Sequence, residues 1–461
     1  MGTSSTNKSF NWETNDMNKT DENTPYLDQQ ESFLGELLDP LDQFLNSPKH
    51  SADRLYLPGL FQPLCTNQSV SNHRSGDFQP LNQISAWLDD SSQVEGGRRV
   101  YSGVMTDGEF LKYLKMKRLG HETLPDARIR RIHIPNPSHN TVSSIICTAP
   151  WNQTLALRGF IKRYIRSDGL MNVCILPIDN KDTAFVMEFH FPYLVWRVPA
   201  PGSNPKDERR TADGSPLRMT LDMSFLTRTM DTDNDGVSNP LTGYLYEAQS
   251  SCVVTGCNNS YWTAISFSDT YFYPGAINND ASICGDNEDM LANYDGDDED
   301  TDPLAIGNFA VQQRALDPRH YFLVIAKNRL EKIKGEWDFI LQRLTSAVKN
   351  YLKNSHIMSP PGQVTLANTD AHAEAVHESY KWVTGVMYLV EQLQDTMSKL
   401  TKACLKFQQC GLVKLTGPEP SMLLRVPIQE IRQCLDELGV IEESLSTVCR
   451  KAQVFKEQEI M

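Results

Sequence analysis

No stretch of this sequence reaches the roughly 18 consecutive apolar residues that a membrane-spanning helix needs. Its longest candidates, "YFLVIA" (321–326) and "WVTGVMYLV" (382–390), are too short. The N-terminus, "MGTSSTNKSFNWETNDMNKT", lacks the apolar segment of a secretory signal. Met1-Gly2 followed by Thr6 fits a myristoylation pattern formally, but no polybasic partner accompanies it. A cytoplasmic chain is expected, with a position peripheral to a membrane as the alternative.

Cysteine motifs are also missing. The ten cysteines include no C-x-x-C pair, and the close spacings Cys252–Cys257 and Cys404–Cys410 match no common zinc pattern. Free intracellular thiols are the expected state. Positive charge is in deficit, with 44 basic against 58 acidic residues and a net charge of -14. An acidic surface repels phosphate backbones, so nucleic acid is not an expected partner. There is no G-x-S-x-G, no phosphate-cradling glycine loop and no H-E-x-x-H. His372 and His377 are five apart and fall on different helical faces, so they do not make a zinc pair. Cys252 could act as a nucleophile only with a histidine beside it, and a buried strand cysteine is the expected reading. No catalytic residue, cofactor or reaction is indicated.

What is present divides the 461 residues into three regions, with enough chain for a sizeable core. Residues 1–100, rich in Ser, Asn, Asp and Gln, read as a disordered N-terminal region. Two islands interrupt it. In "ESFLGELLDPLDQFL", Phe33, Leu34, Leu37 and Leu38 share a helical face, and "ISAWLDD" surrounds Trp87. Each island either docks into a partner's groove or packs on its own domain.

Residues 101–317 mix helices and strands without a regular βαβ period, which predicts an α+β, mixed-sheet domain. Asp107 is placed to cap a helix carrying Phe110, Leu111 and Leu114. "ARIRRIHIP" alternates isoleucine with charge and reads as a strand, while "LALRGFIKRYI" reads as a helix. "MNVCILPI", "AFVMEFHFPYLVWRV", "YLYEAQSSCVVTG" and "YWTAISFSDTYFY" are rich in β-branched and aromatic residues and read as strands.

Residues 318–461 form a helical bundle or stalk in this reading. Leu330, Trp337, Leu344 and Tyr351 recur every seven residues, with Ile333, Ile340 and Ala347 three positions on, as in a coiled coil. A second helix aligns Val376, Val383, Val390, Met397 and Cys404 beside Val386, Leu393, Leu400 and Phe407. A third, starting near Pro427, aligns Ile431, Leu438, Leu445 and Ala452. Such stripes are core positions, and self-association or a protein partner through these helices is the interaction they suggest.

The one metal candidate is "DTDNDGVSN". Asp231, Asp233 and Asp235 fill the first three ligand positions of a calcium loop, and Gly236 permits its turn. Thr242 stands where the bidentate glutamate belongs, and Pro240 blocks the exiting helix. Weak binding of a divalent cation is the most this half-set allows. The acidic run Asp295–Asp302 reads as a solvated loop.

Across residues 120–345, the pieces "RIRRIHIPNPSHNTVSSIICTAP", "LALRGFIKRYI", "FVMEFHFPYLVWR", "SPLRMTLDMSFL", "YLYEAQSSCVVTGCNNSYWTAISFSDTYF" and "DPRHYFLVIAKNRLEKIKGEWDFIL" resemble a family of mostly uncharacterised fungal proteins related to CorA-like magnesium transporters. The resemblance implies a mixed-sheet cytosolic domain leading into stalk helices. In the transporters these continue into two membrane helices, the first ending in Gly-Met-Asn. Here the sequence ends at "VCRKAQVFKEQEIM", without that signature. A non-enzymatic interaction or regulatory protein is the first expectation. A truncated relative or accessory subunit of a divalent metal-ion transporter is the second, and an unrecognised enzyme or accessory protein of a fungal biosynthetic pathway the third.

Overall fold

The structure is a computed structural model, and its described residues are 10, 12, 24–29, 39–45, 58–81, 84–92, 97–177, 183–199, 206–226, 243–273, 302–304, 317–355, 369–416 and 421–460. They form an α+β fold in which one mixed sheet separates two helical layers.

The strands are β1 (Ile84–Ser91), β2 (Gly103–Thr106), β3 (Ile129–Pro135), β4 (Leu170–Pro177), β5 (Thr183–Arg197), β6 (Thr220–Asp222), β7 (Tyr244–Asn258) and β8 (Tyr261–Ser268). Their order across the sheet is β2-β1-β3-β8-β7-β5-β4, with β6 paired to β7. All neighbours are antiparallel except β3 and β8, which run parallel with Ile132 opposite Ile265. The long strands β5 and β7 are buried along nearly their whole length, because both sheet faces are covered by helices. That coverage explains the near-continuous apolar sequence of β5, while β7 buries Gln249, Ser250 and Ser251 among its apolar residues. Pro192 stands in β5, yet β4 ends where Leu170 meets His190. The edge beyond that point has no β4 partner, and it is where a residue without an N–H is tolerated.

One layer contains α1 (Pro40–Leu45), α2 (Pro58–Phe61), α3 (Asn67–Ser75), α4 (Asp107–Leu114), α5 (His139–Thr148) and α6 (Trp151–Ile165). Phe44, Phe61, Ile145, Leu157 and Phe160 from these helices pack with Ile132, Ile265 and Phe267 of the sheet. Three of the helices carry capping boxes: Thr66 with Ser69, Thr106 with Glu109, and Ser138 with Thr141. Each box supplies acceptors to backbone N–H groups that a helix start leaves over. The cap at α4 is Thr106, not Asp107. Asp107 occupies the first helical turn and its carboxylate accepts from Asn140 Nδ2 at 2.8 Å.

The other layer consists of α7 (Pro318–Ser355), α8 (Thr369–Lys406, continuing through a π turn to Thr416) and α9 (Met422–Ile460). Lys334 meets Glu437 and Tyr351 meets Phe455, so α7 and α9 run parallel. Tyr351 stacks on Trp382 while Phe322 lies near Phe407, so α8 runs opposite to α7. The apolar rows are buried, from Leu330 to Tyr351, Val383 to Cys404, Val386 to Phe407 and Ile431 to Ala452. Val376 is half-buried. Met187, Phe189 and Trp262 of the sheet share one continuous core with these rows. Residue 318 thus marks a change of secondary structure without a break in packing.

The first hundred residues depart most from expectation. "ISAWLDD" is strand β1, flanked by β2 and β3, and a boundary at residue 100 would cut the connection between β1 and β2. Tyr26, Leu27, Leu41, Phe44 and Leu45 are fully or almost fully buried. The two aspartates that make β1 look like solvated tail are neutralised by arginines directly across the sheet, Asp89 opposite Arg131 and Asp90 opposite Arg130.

Candidate functional site

Successive strand residues point to opposite faces, so the Asp-Asp and Arg-Arg pairs make one buried ion-pair cluster on each side of the sheet. Toward α7, Arg131 donates to Asp89 at 2.8 Å and to Asp302 at 2.8 Å, and Tyr321 Oη also donates to Asp302. Asp302, the last residue of the acidic run read as solvated, is fully buried. Toward α3–α6, Arg130 Nε and Nη2 grip both oxygens of Asp90 at 2.7 Å, and Tyr101 Oη donates to the same carboxylate at 2.6 Å. Burial opposes ionisation of Asp90, yet the attraction of Arg130 and Arg118 leaves its carboxyl below the ordinary range.

A cavity of about 730 Å³ opens on this second face, between the sheet and α3, α5 and α6. Arg118 and Arg130, both almost fully buried, lie against the sheet, and Arg74 and Lys115 come from the helical side. Among the described residues, Asp28 is the one carboxylate in the lining, and it pairs with Arg74 at 3.4 Å. Arg118 donates to the carbonyls of Ala127, Arg128 and Trp262 and to Thr263 Oγ1. Thr263 Oγ1 also accepts from Gln153 Nε2 at 3.0 Å. Leu114, Ile132, Ile145, Leu157 and Ile265 supply the apolar wall. Cys147 lines the same space, its thiol pushed up to about 12 by burial.

Two other polar clusters are sealed. Ser251 Oγ lies 2.9 Å from His190 Nδ1, and His190 Nε2 lies 3.5 Å from Glu188, an order that resembles a serine–histidine–carboxylate chain. Ser251 and His190 are cross-strand partners at 0% exposure, and Arg163 neutralises Glu188 at 2.8 Å. Burial holds the His190 imidazole below its ordinary pKa, so it stays neutral. Spacing could have suggested this trio only if the β5–β7 register were known. The second cluster surrounds Asp269. Arg218 Nε donates to it at 2.7 Å, Arg209 Nη2 at 2.6 Å and the Gln249 backbone N–H at 2.8 Å, and Tyr164 Oη completes the set. The two arginines hold this carboxyl at about 2 in spite of full burial.

Asp231, Asp233 and Asp235 lie outside the described residues. Among the described residues no group of three His, Cys, Asp or Glu side chains could hold a metal ion, and no helix is long and apolar enough to cross a membrane. Cys252 is a fully buried strand cysteine whose thiol is raised by desolvation. His377 is exposed on α8.

The chain matches no family profile and no curated protein. Solved structures are similar to it, two of them as follows. The cytoplasmic domain of ZntB from Vibrio parahaemolyticus is 10% identical over 82% of this chain and 96% of its own, with a TM-score of 0.31. The soluble domain of CorA from Methanocaldococcus jannaschii is 9% identical over 80% and 96%, also at 0.31. Likeness at that level carries no argument about what this chain does.

Proposed function

We propose that this chain is a non-enzymatic binding protein of the cytoplasm, with an interaction or regulatory role. One observation supports the reading: among the described residues, the lining of the cavity pairs no nucleophile with a base. Its thiol, Cys147, is protonated at neutral pH. The serine–histidine–carboxylate order at Ser251 is sealed in the sheet, where no substrate carbonyl can approach a nucleophile. Free thiols at all nine described cysteines accord with a reducing compartment.

Covalent probes test the reading. The folded chain should leave Ser251 unmodified by a fluorophosphonate and Cys147 unalkylated by iodoacetamide at pH 7, and both should react after unfolding. Stoichiometric labelling of Ser251 in the folded chain would overturn it.

A further inference from the structure

Building on the binding reading above, we propose that the cavity takes a small organic anion, a carboxylate or phosphate monoester with an aliphatic body. The charge of the lining argues for the anionic head. Arg74, Lys115, Arg118 and Arg130 stand against two carboxylates, Asp28 on Arg74 and Asp90 on Arg130, in a chain whose net charge is -14. The protein as a whole repels anions, so a locally cationic cavity is a selective feature. A divalent cation would meet a net positive lining there.

The donors are distributed unevenly. Arg130 spends Nε and Nη2 on Asp90, and among the described residues no acceptor takes the Nη1 protons. The Lys115 ammonium makes one long contact, 3.4 Å to the His73 carbonyl. Arg118 donates to carbonyl and hydroxyl oxygens, which orient its guanidinium. Arg130 and Lys115 are accordingly the head-group contacts, and Arg118 adds field from the sheet side. A charge-assisted bond to Arg130 Nη1 is of the stronger kind.

Leu114, Ile132, Ile145, Leu157 and Ile265 argue for the body. They form a continuous wall with the hydrophobic core beneath it. About 730 Å³ lies within the range of roughly 300–1,000 Å³ typical of organic-ligand sites, and an inorganic ion would leave most of it to water. A neutral aliphatic ligand would displace water from the arginine and lysine heads without replacing its hydrogen bonds, which is unfavourable.

Isothermal titration of the full chain with octanoate, octyl phosphate, octanol and inorganic phosphate tests the assignment. At least one octyl anion should bind, and at least tenfold more tightly than octanol or inorganic phosphate. Lys115 is exposed on its outer side, so Lys115→Glu leaves the fold intact by circular dichroism and should weaken that binding tenfold or more. Octanol binding as tightly as the anions, or octyl-anion affinity unchanged in Lys115→Glu, would overturn the proposal. So would binding of inorganic phosphate as tight as that of octyl phosphate. If no octyl compound binds, the ligand class is wrong, whereas the non-enzymatic reading is judged separately by the probe labelling.

Discussion

Replacing Asp269 by asparagine changes one atom and one charge where two buried arginines converge. Arg218 is 1% exposed and Asp269 0%, so no water takes the place of the lost charge. The wild-type carboxyl is held near 2 against an ordinary 3.8, a difference worth roughly 2.5 kcal/mol between its charged and neutral forms. Asparagine costs more than protonation. Each carboxylate oxygen accepts from donors: Oδ1 from Arg209 and Tyr164, Oδ2 from Arg218 and the Gln249 N–H. An amide NH₂ in either place sets donor against donor. Breaking a buried ion pair by removing one partner costs about 3–5 kcal/mol. That loss is a large part of the 5–15 kcal/mol that holds a typical protein folded. Urea unfolding at pH 7, followed by tryptophan fluorescence, should show it as a lowered midpoint. The pH response should differ as well. Because the folded carboxyl titrates below the unfolded one, its contribution is fully present above about pH 5 and fades as pH falls toward 2. Wild type should lose about 2 kcal/mol from this group over that range, and Asp269→Asn should lack that component. A variant within 1 kcal/mol of wild type at pH 7 would refute the reasoning.

Four further outcomes are expected. Deleting residues 1–100 removes β1 and leaves Arg130 and Arg131 without their cross-strand carboxylates, so the remainder should be insoluble or molten; a cooperatively unfolding fragment would contradict the strand's role. Val390→Asp with Leu393→Asp places two charges at 0% exposure and should unfold the α7–α9 layer, whereas a folded variant that merely changes oligomeric state in light scattering would make the seam an interface between chains. A Cβ at Gly169 would come within 2.5 Å of the Lys399 carbonyl, so Gly169→Ala should push α8 from the start of β4 and destabilise the fold by on the order of 1–3 kcal/mol, read as a lowered urea midpoint. Calcium at Asp231, Asp233 and Asp235 should bind more weakly than about 10⁻⁴ M in isothermal titration, since the bidentate ligand is absent; micromolar binding lost in Asp233→Ala would show otherwise.

Much of the α+β architecture is legible before any coordinates. "AFVMEFHFPYLVWRV" and "YLYEAQSSCVVTG" read as strands, and the seven-residue rows mark the buried sides of α7, α8 and α9. "ISAWLDD" is misread because Asp89 and Asp90 count as polar until their partners are known. Those partners are written in "RIRRIHIP", but nothing local pairs an acidic doublet with a basic one some forty residues on. The same limit hides the cavity. Arg74, Lys115, Arg118 and Arg130 come from α3, the segment after α4, and β3, and no spacing rule joins them. His190 and Ser251 meet only through the β5–β7 register.

The parallel pairing of β3 with β8 also bears on how the protein is made. β3 emerges from the ribosome long before β8, and between them the chain must lay down α5, α6, β4, β5, β6 and β7. Until β8 arrives, β1, β2 and β3 form a small antiparallel ribbon whose inner edge has no strand to bond. Contacts this distant along the chain are slow to form, because the loop-closure entropy must be met before they give anything back. An unpaired edge in a partly made chain is a template for pairing with a neighbour. The seam at the middle of the finished sheet is then the last part to close, and the nascent chain is most prone to aggregate in the interval before residues 261–268 are synthesised.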